Sequence, residues 1–232
     1  MPAVLRKSFN FYIVAYIDIL GFSKMVKSDI ENPESSDLFL TKLFGIYETT
    51  RQSFGNHQHL QVIQFSDSVV FAIPYTAENF PIFLNIIGQF QYNLFSQGFL
   101  CRGGISFGKH FYEDGFLFSS GLIEAYYIEK TLSRYPRIVI SRDLLDLLYP
   151  HGIGPDCRIL KENDETYFVD FITNSNLTNS AEYLKTIFQN NSSNDASINE
   201  KHRWLCEYFD YKVQTTHVEI EKFSNPRFST IR

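Results

Sequence analysis

Two apolar stretches, each carrying one aspartate, constrain this chain more than any other feature. Residues 11–18, FYIVAYID, are β-branched and aromatic up to Asp18. Residues 60–65, LQVIQF, and 69–74, VVFAIP, flank Ser66-Asp67-Ser68. The first stretch predicts a buried strand ending at Asp18, the second a hairpin with Asp67 at its tip. A carboxylate in such surroundings is costly without a partner. Read singly, Asp18 caps a helix start and Asp67 is a turn residue. Read together, on neighbouring strands, the two carboxylates project from one edge of a sheet and form a site for hard cations such as Mg²⁺ or Mn²⁺. Two-metal chemistry on phosphates needs this pairing. One ion lowers the pKa of an attacking hydroxyl, and the other neutralises the phosphates and the leaving group.

The rest of the chain alternates between long helical patterns and short strand patterns. Leu20-Gly21-Phe22-Ser23 is a tight turn into a short helix, and residues 38–54 have helical spacing. A second long helix runs from Thr76 to about residue 97, with Gly98 as its C-cap. Residues 99–108 read as a strand, 110–118 as a loop or short strand, and 119–133 as a helix. A strand at 136–140 and a helix capped by Ser141 follow, then a hairpin around Glu162-Asn163-Asp164. This order implies an α+β fold, a ferredoxin-like mixed sheet with helices on one face. Beyond residue 172 the chain turns polar (NSNLTNS, NNSSNDAS) around two helices, at 181–189 and 202–213, and SNPRFSTIR reads as a frayed end. The division expected is therefore 1–172 and a C-terminal helical extension, 173–232, with Trp204 and Phe209 packing it onto the first unit.

Composition narrows the function. A net charge of −5 argues against a general nucleic-acid binder, whose affinity comes from a basic surface. A small anionic ligand stays open, because a few placed cations and a metal invert the local field. Cys101, Cys157 and Cys206 lack zinc-site spacing, and no leader or membrane-spanning pattern is present, so a cytoplasmic protein is expected. No GxGxxG, Walker loop or GxSxG elbow occurs.

Three further features bear on chemistry. The amides of Ile19, Leu20, Gly21, Phe22 and Ser23, at a helix start beside the candidate metal site, suit phosphate. Arg102, in an apolar strand ahead of Gly103 and Gly104, needs an anionic partner, either a carboxylate of the chain or a nucleotide. Lys161, in the last hairpin, is either solvated or a phosphate ligand.

At Ile17-Asp18-Ile19-Leu20-Gly21-Phe22-Ser23 and Phe65-Ser66-Asp67-Ser68 the chain resembles class III nucleotidyl cyclases. Arg102-Gly103-Gly104-Ile105-Ser106 is similar to their RxGI strand, Ser119 to Glu129 to their signature helix, and Lys161 to Val169 to a hairpin bearing a phosphate-binding lysine. The likeness covers about residues 10–172. It is closer to the pyrimidine cyclases of bacterial Pycsar anti-phage systems, through DILGF, FSD, Ala125-Tyr126-Tyr127-Ile128-Glu129 and the aromatic helix around Trp204. Purine cyclases carry an Asn/Arg pair on the signature helix and a purine-selecting Lys. The corresponding positions here are Ile123, Tyr127 and Ile63.

The resemblance implies a homodimer with active sites at the interface. Two Mg²⁺ or Mn²⁺ ions per site fall to Asp18, Ile19 and Asp67. Arg102 is catalytic, and Ile19 to Ser23 with Lys161 bind the nucleotide. UTP or CTP becomes 3′,5′-cyclic UMP or cyclic CMP plus pyrophosphate, a second messenger for a separate effector. No nucleic acid or membrane partner is implied. The alternative is a catalytically inactive cyclase-fold module for nucleotide binding or dimerisation.

Overall fold

Strand β1, Asn10–Ile19, is an interior strand of the sheet in the computed structural model of the chain, which describes residues 7–54, 57, 59–154, 157–190, 195–213 and 223–224. Its middle residues Ile13, Val14, Ala15 and Ile17 are fully buried, because both faces of the strand are covered. A strand covered on both sides reads as a continuous apolar run, which is how residues 11–18 read.

After β1 come α1 (Phe22–Glu31) and α2 (Phe39–Phe54), then the hairpin β2 (Gln61–Phe65) and β3 (Ser68–Pro74). Helix α3 (Asn79–Ser96) leads to β4 (Cys101–Glu113), β5 (Phe116–Ser119) and α4 (Ser120–Leu132). Then follow β6 (Ile138–Ile140), α5 (Arg142–Leu148), β7 (Ile159–Glu162) and β8 (Tyr167–Val169). Helices α6 (Leu177–Asn190) and α7 (Ala196–Val213) and a two-residue strand β9 (Phe223–Ser224) complete the described chain. The sheet order is β2-β3-β1-β4-β6-β8-β7-β9, with β5 paired to β4. β1 is antiparallel to both β3 and β4. β3 and β4 are therefore parallel to each other across it, and α3 joins them. This is the split βαβ of a ferredoxin-like sheet, and the fold is α+β with C-terminal helices.

Helices cover both faces of the sheet, where one face was expected. Ile13, Ala15, Ile17, Val69, Phe71 and Ile73 point into a core shared with α3 and α5, through residues such as Phe80, Phe83, Ile87 and Leu144. The alternate residues Val14, Val70 and Ala72 pack with Tyr12, Tyr16 and Leu122 of α4 on the other side. Glycine permits this second layer. A Cβ built on Gly104 meets the Ala125 carbonyl oxygen at 2.2 Å, and one on Gly108 meets the Gly121 nitrogen at 2.6 Å. Helix α4 thus lies against bare backbone of β4. Gly104→Ala is expected to destabilise the fold by about 3 kcal/mol, since helix backbone cannot swing aside. Gly45→Ala on α2, with nothing within 4 Å, should be neutral or stabilising. Thermal melts of the two variants check this.

Other boundaries differ from the sequence pattern for local reasons. Residues 110–118 form most of a hairpin: Asp114 (φ 49°) and Gly115 (φ 84°) make the two-residue turn with positive φ that tight hairpins favour. Helix α7 starts at Ala196, earlier than the periodicity from residue 202 suggests, because Asp195 Oδ1 accepts the Ser197 amide at 2.8 Å as a cap. Helix α6 likewise begins inside NSNLTNS, where Ser180 is fully buried and donates to the Asn176 carbonyl at 2.9 Å. Of the turn expected at residues 55–57, only His57 is described, its amide donating to the Phe54 carbonyl at 3.0 Å, and most of the SNPRFSTIR end lies outside the described residues.

Behind the β4–β5 hairpin, His110 is 2% exposed and stacked on Tyr12 at 4.8 Å. The Gln61 amide oxygen can only accept, so Nε2–H of His110 donates to it (2.8 Å) and Nδ1 accepts from the Ser119 hydroxyl (2.9 Å). Burial lowers the His110 pKa to about 4. Between pH 6.5 and 4 the unfolded chain therefore holds a proton here that the folded chain refuses, and stability falls as pH falls through that window. The loss is expected to reach about 2 kcal/mol by about pH 5. Urea melts at about pH 7 and pH 5 check it, and His110→Gln should remove this part of the slope.

Candidate active site

Strand register assembles the site. Asp18 is paired with Ser68 on β3 and with Arg102 on β4, so these three side chains form a row across one sheet edge, on the α4 face. The Ile19 amide donates to the Asp67 carbonyl oxygen at 2.9 Å, which ties the tip of the β2–β3 hairpin to the end of β1. The two aspartates, 49 residues apart in sequence, thereby meet at one edge.

Arg102 has its anionic partner within the chain. Its Nε donates to Asp18 Oδ2 at 3.1 Å and lies 2.7 Å from Glu129 Oε1 of α4. Glu129 is almost wholly enclosed (side chain 4% exposed). Burial pushes its carboxyl pKa up, Arg102 opposes the shift, and Asp18 adds to it. On the other side of Asp18, the Tyr16 hydroxyl is 2.8 Å from Ser68 Oγ, and that Oγ lies 3.4 Å from Asp67 Oδ1. Burial raises the Tyr16 phenol, and Asp18, Glu129 and Asp67 raise it further, against the hydrogen bond to Ser68. Sequence reasoning gave no role to Tyr16, Ser68 or Glu129. For Tyr16 a signal existed, since residues two apart on a strand share a face and Tyr16 stands two before Asp18.

Two carboxylates, Asp18 and Glu129, share one guanidinium, and Asp67 acts with both of them on the Tyr16 phenol, so negative charge prevails at this edge and a bound cation would relieve it. The available donors are oxygens: the carboxylates of Asp18 and Asp67, and for Ile19, whose side chain is in the main core, only the backbone carbonyl. Such a set suits Mg²⁺ or Mn²⁺, which complete their shells with water and substrate phosphate. Among the described residues no group of three or more His, Cys, Asp or Glu forms a closed metal cage. A hard ion held here would complete its shell with water or ligand oxygens.

The phosphate turn is narrower than expected. The Ile19 amide is taken by Asp67, and Leu20 donates to the Leu100 carbonyl at 2.8 Å. Both residues still belong to the sheet's hydrogen-bond ladder. Gly21, at φ +80°, makes the turn into α1, and its carbonyl accepts from Lys24 (3.0 Å) and Met25 (3.3 Å). The amides of Gly21, Phe22 and Ser23 have no acceptor among the described residues and lie at a helix start. Lys161 is elsewhere in this chain. It lies on β7, four strands from β1 and so roughly 19 Å away at normal strand spacing. There it pairs with Glu165 at 2.5 Å. Ile123 and Tyr127 point outward, 70% and 59% exposed, while Ile63 is half-buried beside Val14.

No protein-family model matches the chain, and no curated protein matches it. Among solved structures, the adenylyl cyclase CyaB from P. aeruginosa is similar with a TM-score of 0.49 at 14% identity, over 71% of this chain and 96% of that one. The adenylate/guanylate cyclase/hydrolase from Silicibacter pomeroyi gives 0.45 at 16% identity, over 70% and 96%. The guanylate cyclase domain of RhGC from Catenaria anguillulae, in complex with GTP, gives 0.44 at 13% identity, over 71% and 98%.

Proposed function

We propose that the chain is a nucleotidyl cyclase acting on a pyrimidine nucleoside triphosphate, UTP or CTP. The observation that supports this best is the meeting of Asp18 and Asp67 at one sheet edge, beside Arg102 and the open amides of a helix start. In the reaction the ribose 3′-oxygen forms a bond to the α-phosphorus, the bond from that phosphorus to the pyrophosphate oxygen breaks, and the 3′-hydroxyl proton is lost. Two divalent ions, when bound, supply hydroxyl activation and charge neutralisation. Asp18, Asp67 and the Ile19 carbonyl would hold them. The amides of Gly21, Phe22 and Ser23 orient phosphate oxygens, and Arg102, anchored through Nε, directs its remaining donors at the charge that develops. The apolar Ile63, where purine cyclases carry a lysine, favours a pyrimidine.

The distance of Lys161 from β1 favours a homodimer in which that lysine serves the partner's site. The exposed Phe9, Phe11, Phe116, Phe118, Ile123 and Tyr127 offer apolar side chains for such a contact. Among the described residues no helix is long and apolar enough to cross a membrane. Three free cysteines suit a reducing compartment such as the cytoplasm. The likeness to Pycsar cyclases extends the reading to a cyclic-nucleotide signal in anti-phage defence, acting on a separate effector.

A second reading, an inactive nucleotide-binding module, draws on Ile123 and Tyr127 at the positions of the missing Asn/Arg pair. Incubation with ATP, GTP, CTP and UTP in Mn²⁺, with products identified by mass, separates the two. Cyclic UMP or cyclic CMP is expected. No cyclic mononucleotide from any of the four at high protein concentration would leave the inactive module.

A further inference from the structure

Asp18 and Asp67 are not held alike. The Asp18 carboxylate is fixed by the Arg102 guanidinium at 3.1 Å. Asp67 stands at a hairpin tip, directly after Ser66 at φ +53°, and its backbone carbonyl is taken by the Ile19 amide. Its carboxylate has no cation within ion-pair distance among the described residues. The hydrogen-bond partner it has there is Ser68 Oγ, 3.4 Å from Oδ1. What fixes that hydroxyl therefore fixes the carboxylate.

The order of donors follows from valence. A carboxylate oxygen only accepts, so the single Ser68 hydroxyl hydrogen goes to Asp67. Ser68 Oγ also lies 2.8 Å from the Tyr16 hydroxyl, and with its hydrogen spent it can only accept, so Tyr16 donates. One directed chain results, from Tyr16 to Ser68 to Asp67 Oδ1. The strand register gives Tyr16 its reach. Tyr16 pairs with Val70, so Ser68 is its diagonal neighbour on the same face, a gap that a long side chain spans. The Tyr16 ring is set edge-on against Tyr126, with centroids 5.3 Å apart and planes at 84°. Ser68 is 3% exposed, so bulk water has little access to take over the role of the phenol.

We infer that Tyr16 is a positioning residue that acts through Ser68 to fix the Asp67 carboxylate, leaving Oδ2 for a divalent cation. This rests on the cyclase reading for the task of the ion, but not for its binding. A carboxylate already oriented loses less freedom when the ion arrives than one that swings at a hairpin tip.

The probe is Mn²⁺ alone, titrated into the whole chain without nucleotide, with the free ion counted by its electron paramagnetic resonance signal. Wild type is expected to bind, and Asp67→Asn to lose most of that binding. Tyr16→Phe keeps the ring against Tyr126 and removes the donor, and should bind roughly fivefold more weakly, the effect of one neutral hydrogen bond. Ser68→Ala breaks the chain one link nearer and should weaken binding at least as much. Because the phenol acts through the serine, adding Tyr16→Phe to Ser68→Ala should change the affinity by less than about twofold. Tyr126→Phe, whose hydroxyl is outside the chain, should match wild type. Melting temperatures should stay close to wild type throughout.

Mn²⁺ binding that is absent in wild type, survives Asp67→Asn or is unchanged in Tyr16→Phe overturns the inference. Full additivity of Tyr16→Phe and Ser68→Ala overturns it too, as does an affinity loss seen only where the melting temperature collapses, which makes the role of Tyr16 structural. Weaker, non-additive Mn²⁺ binding in a chain that makes no cyclic nucleotide keeps the positioning role and removes the cyclase. Turnover by Tyr16→Phe with unaltered Mn²⁺ affinity keeps the cyclase and removes the positioning role.

Discussion

Replacing Asp18 or Asp67 by asparagine should lower cyclic nucleotide formation by about a thousandfold or more, or about 4 kcal/mol of transition-state stabilisation. The substitution preserves shape and changes charge. In Asp18→Asn the side-chain amide would still offer an oxygen to Arg102 Nε, and Arg102 keeps Glu129 beside it. The ladder that positions residue 18 is backbone, made with β3 and β4, and is untouched. Residue 67 is likewise held by its carbonyl, through the Ile19 amide. Thermal melts of both variants should therefore stay close to wild type while product, measured by mass, disappears. A variant with activity within about tenfold of wild type would show that its carboxylate does not carry the ions. Loss of activity accompanied by loss of fold would point instead to a structural role for the Asp18–Arg102 pair.

What the sequence reveals of this site follows from what a strand pattern encodes. The uninterrupted apolar run of β1 marks a strand covered on both faces. The alternation of long helical and short strand patterns gives α+β. The two aspartates stand out because each ends a run that otherwise excludes charge. The hidden parts depend on contacts between elements. That Arg102 is met by Asp18 and Glu129 follows from the β1–β4 register and from how closely α4 approaches β4, and the Gly103-Gly104 pair only hints at that approach. The second helical layer is hidden for the same reason, since periodicity says that a helix has an apolar side but not which sheet face receives it. Ile19 and Leu20 read as free to bind phosphate because a turn signal at Gly21 does not reveal that the ladder continues for two more residues. The Asp114-Gly115 hairpin, by contrast, is legible without coordinates. It is a two-residue turn signal that the reading of 110–118 as a loop or short strand left unused, and the β4–β5 pairing resolves it as strand.

Removing the one tryptophan tests whether the C-terminal segment is an appendage or part of the cooperative unit. Trp204 is 1% exposed and sits among Tyr135, Phe168 and Tyr208, with ring centroids 5.4–6.0 Å away. Its Nε1–H is shared between the Glu162 oxygens at 2.9 and 3.1 Å. Glu162 in turn pairs with the buried Arg137, which also holds Asp164 across the β7–β8 turn at 2.6 Å. One indole thus joins α7 to β8, to the β7–β8 hairpin and to the residues leading into β6. Trp204→Ala removes that volume from a closed cluster, and about 3–5 kcal/mol of stability should go with it. For a chain of this size that lowers the melting temperature by roughly 10 °C or more. Trp204→Phe keeps most of the ring but not the donor, and should cost about 1–2 kcal/mol. In wild type, tryptophan fluorescence, which reports α7, and far-UV circular dichroism, dominated by the rest, should melt together. Two separate transitions, with the larger unmoved by Trp204→Ala, would make residues 173–232 an independent attachment.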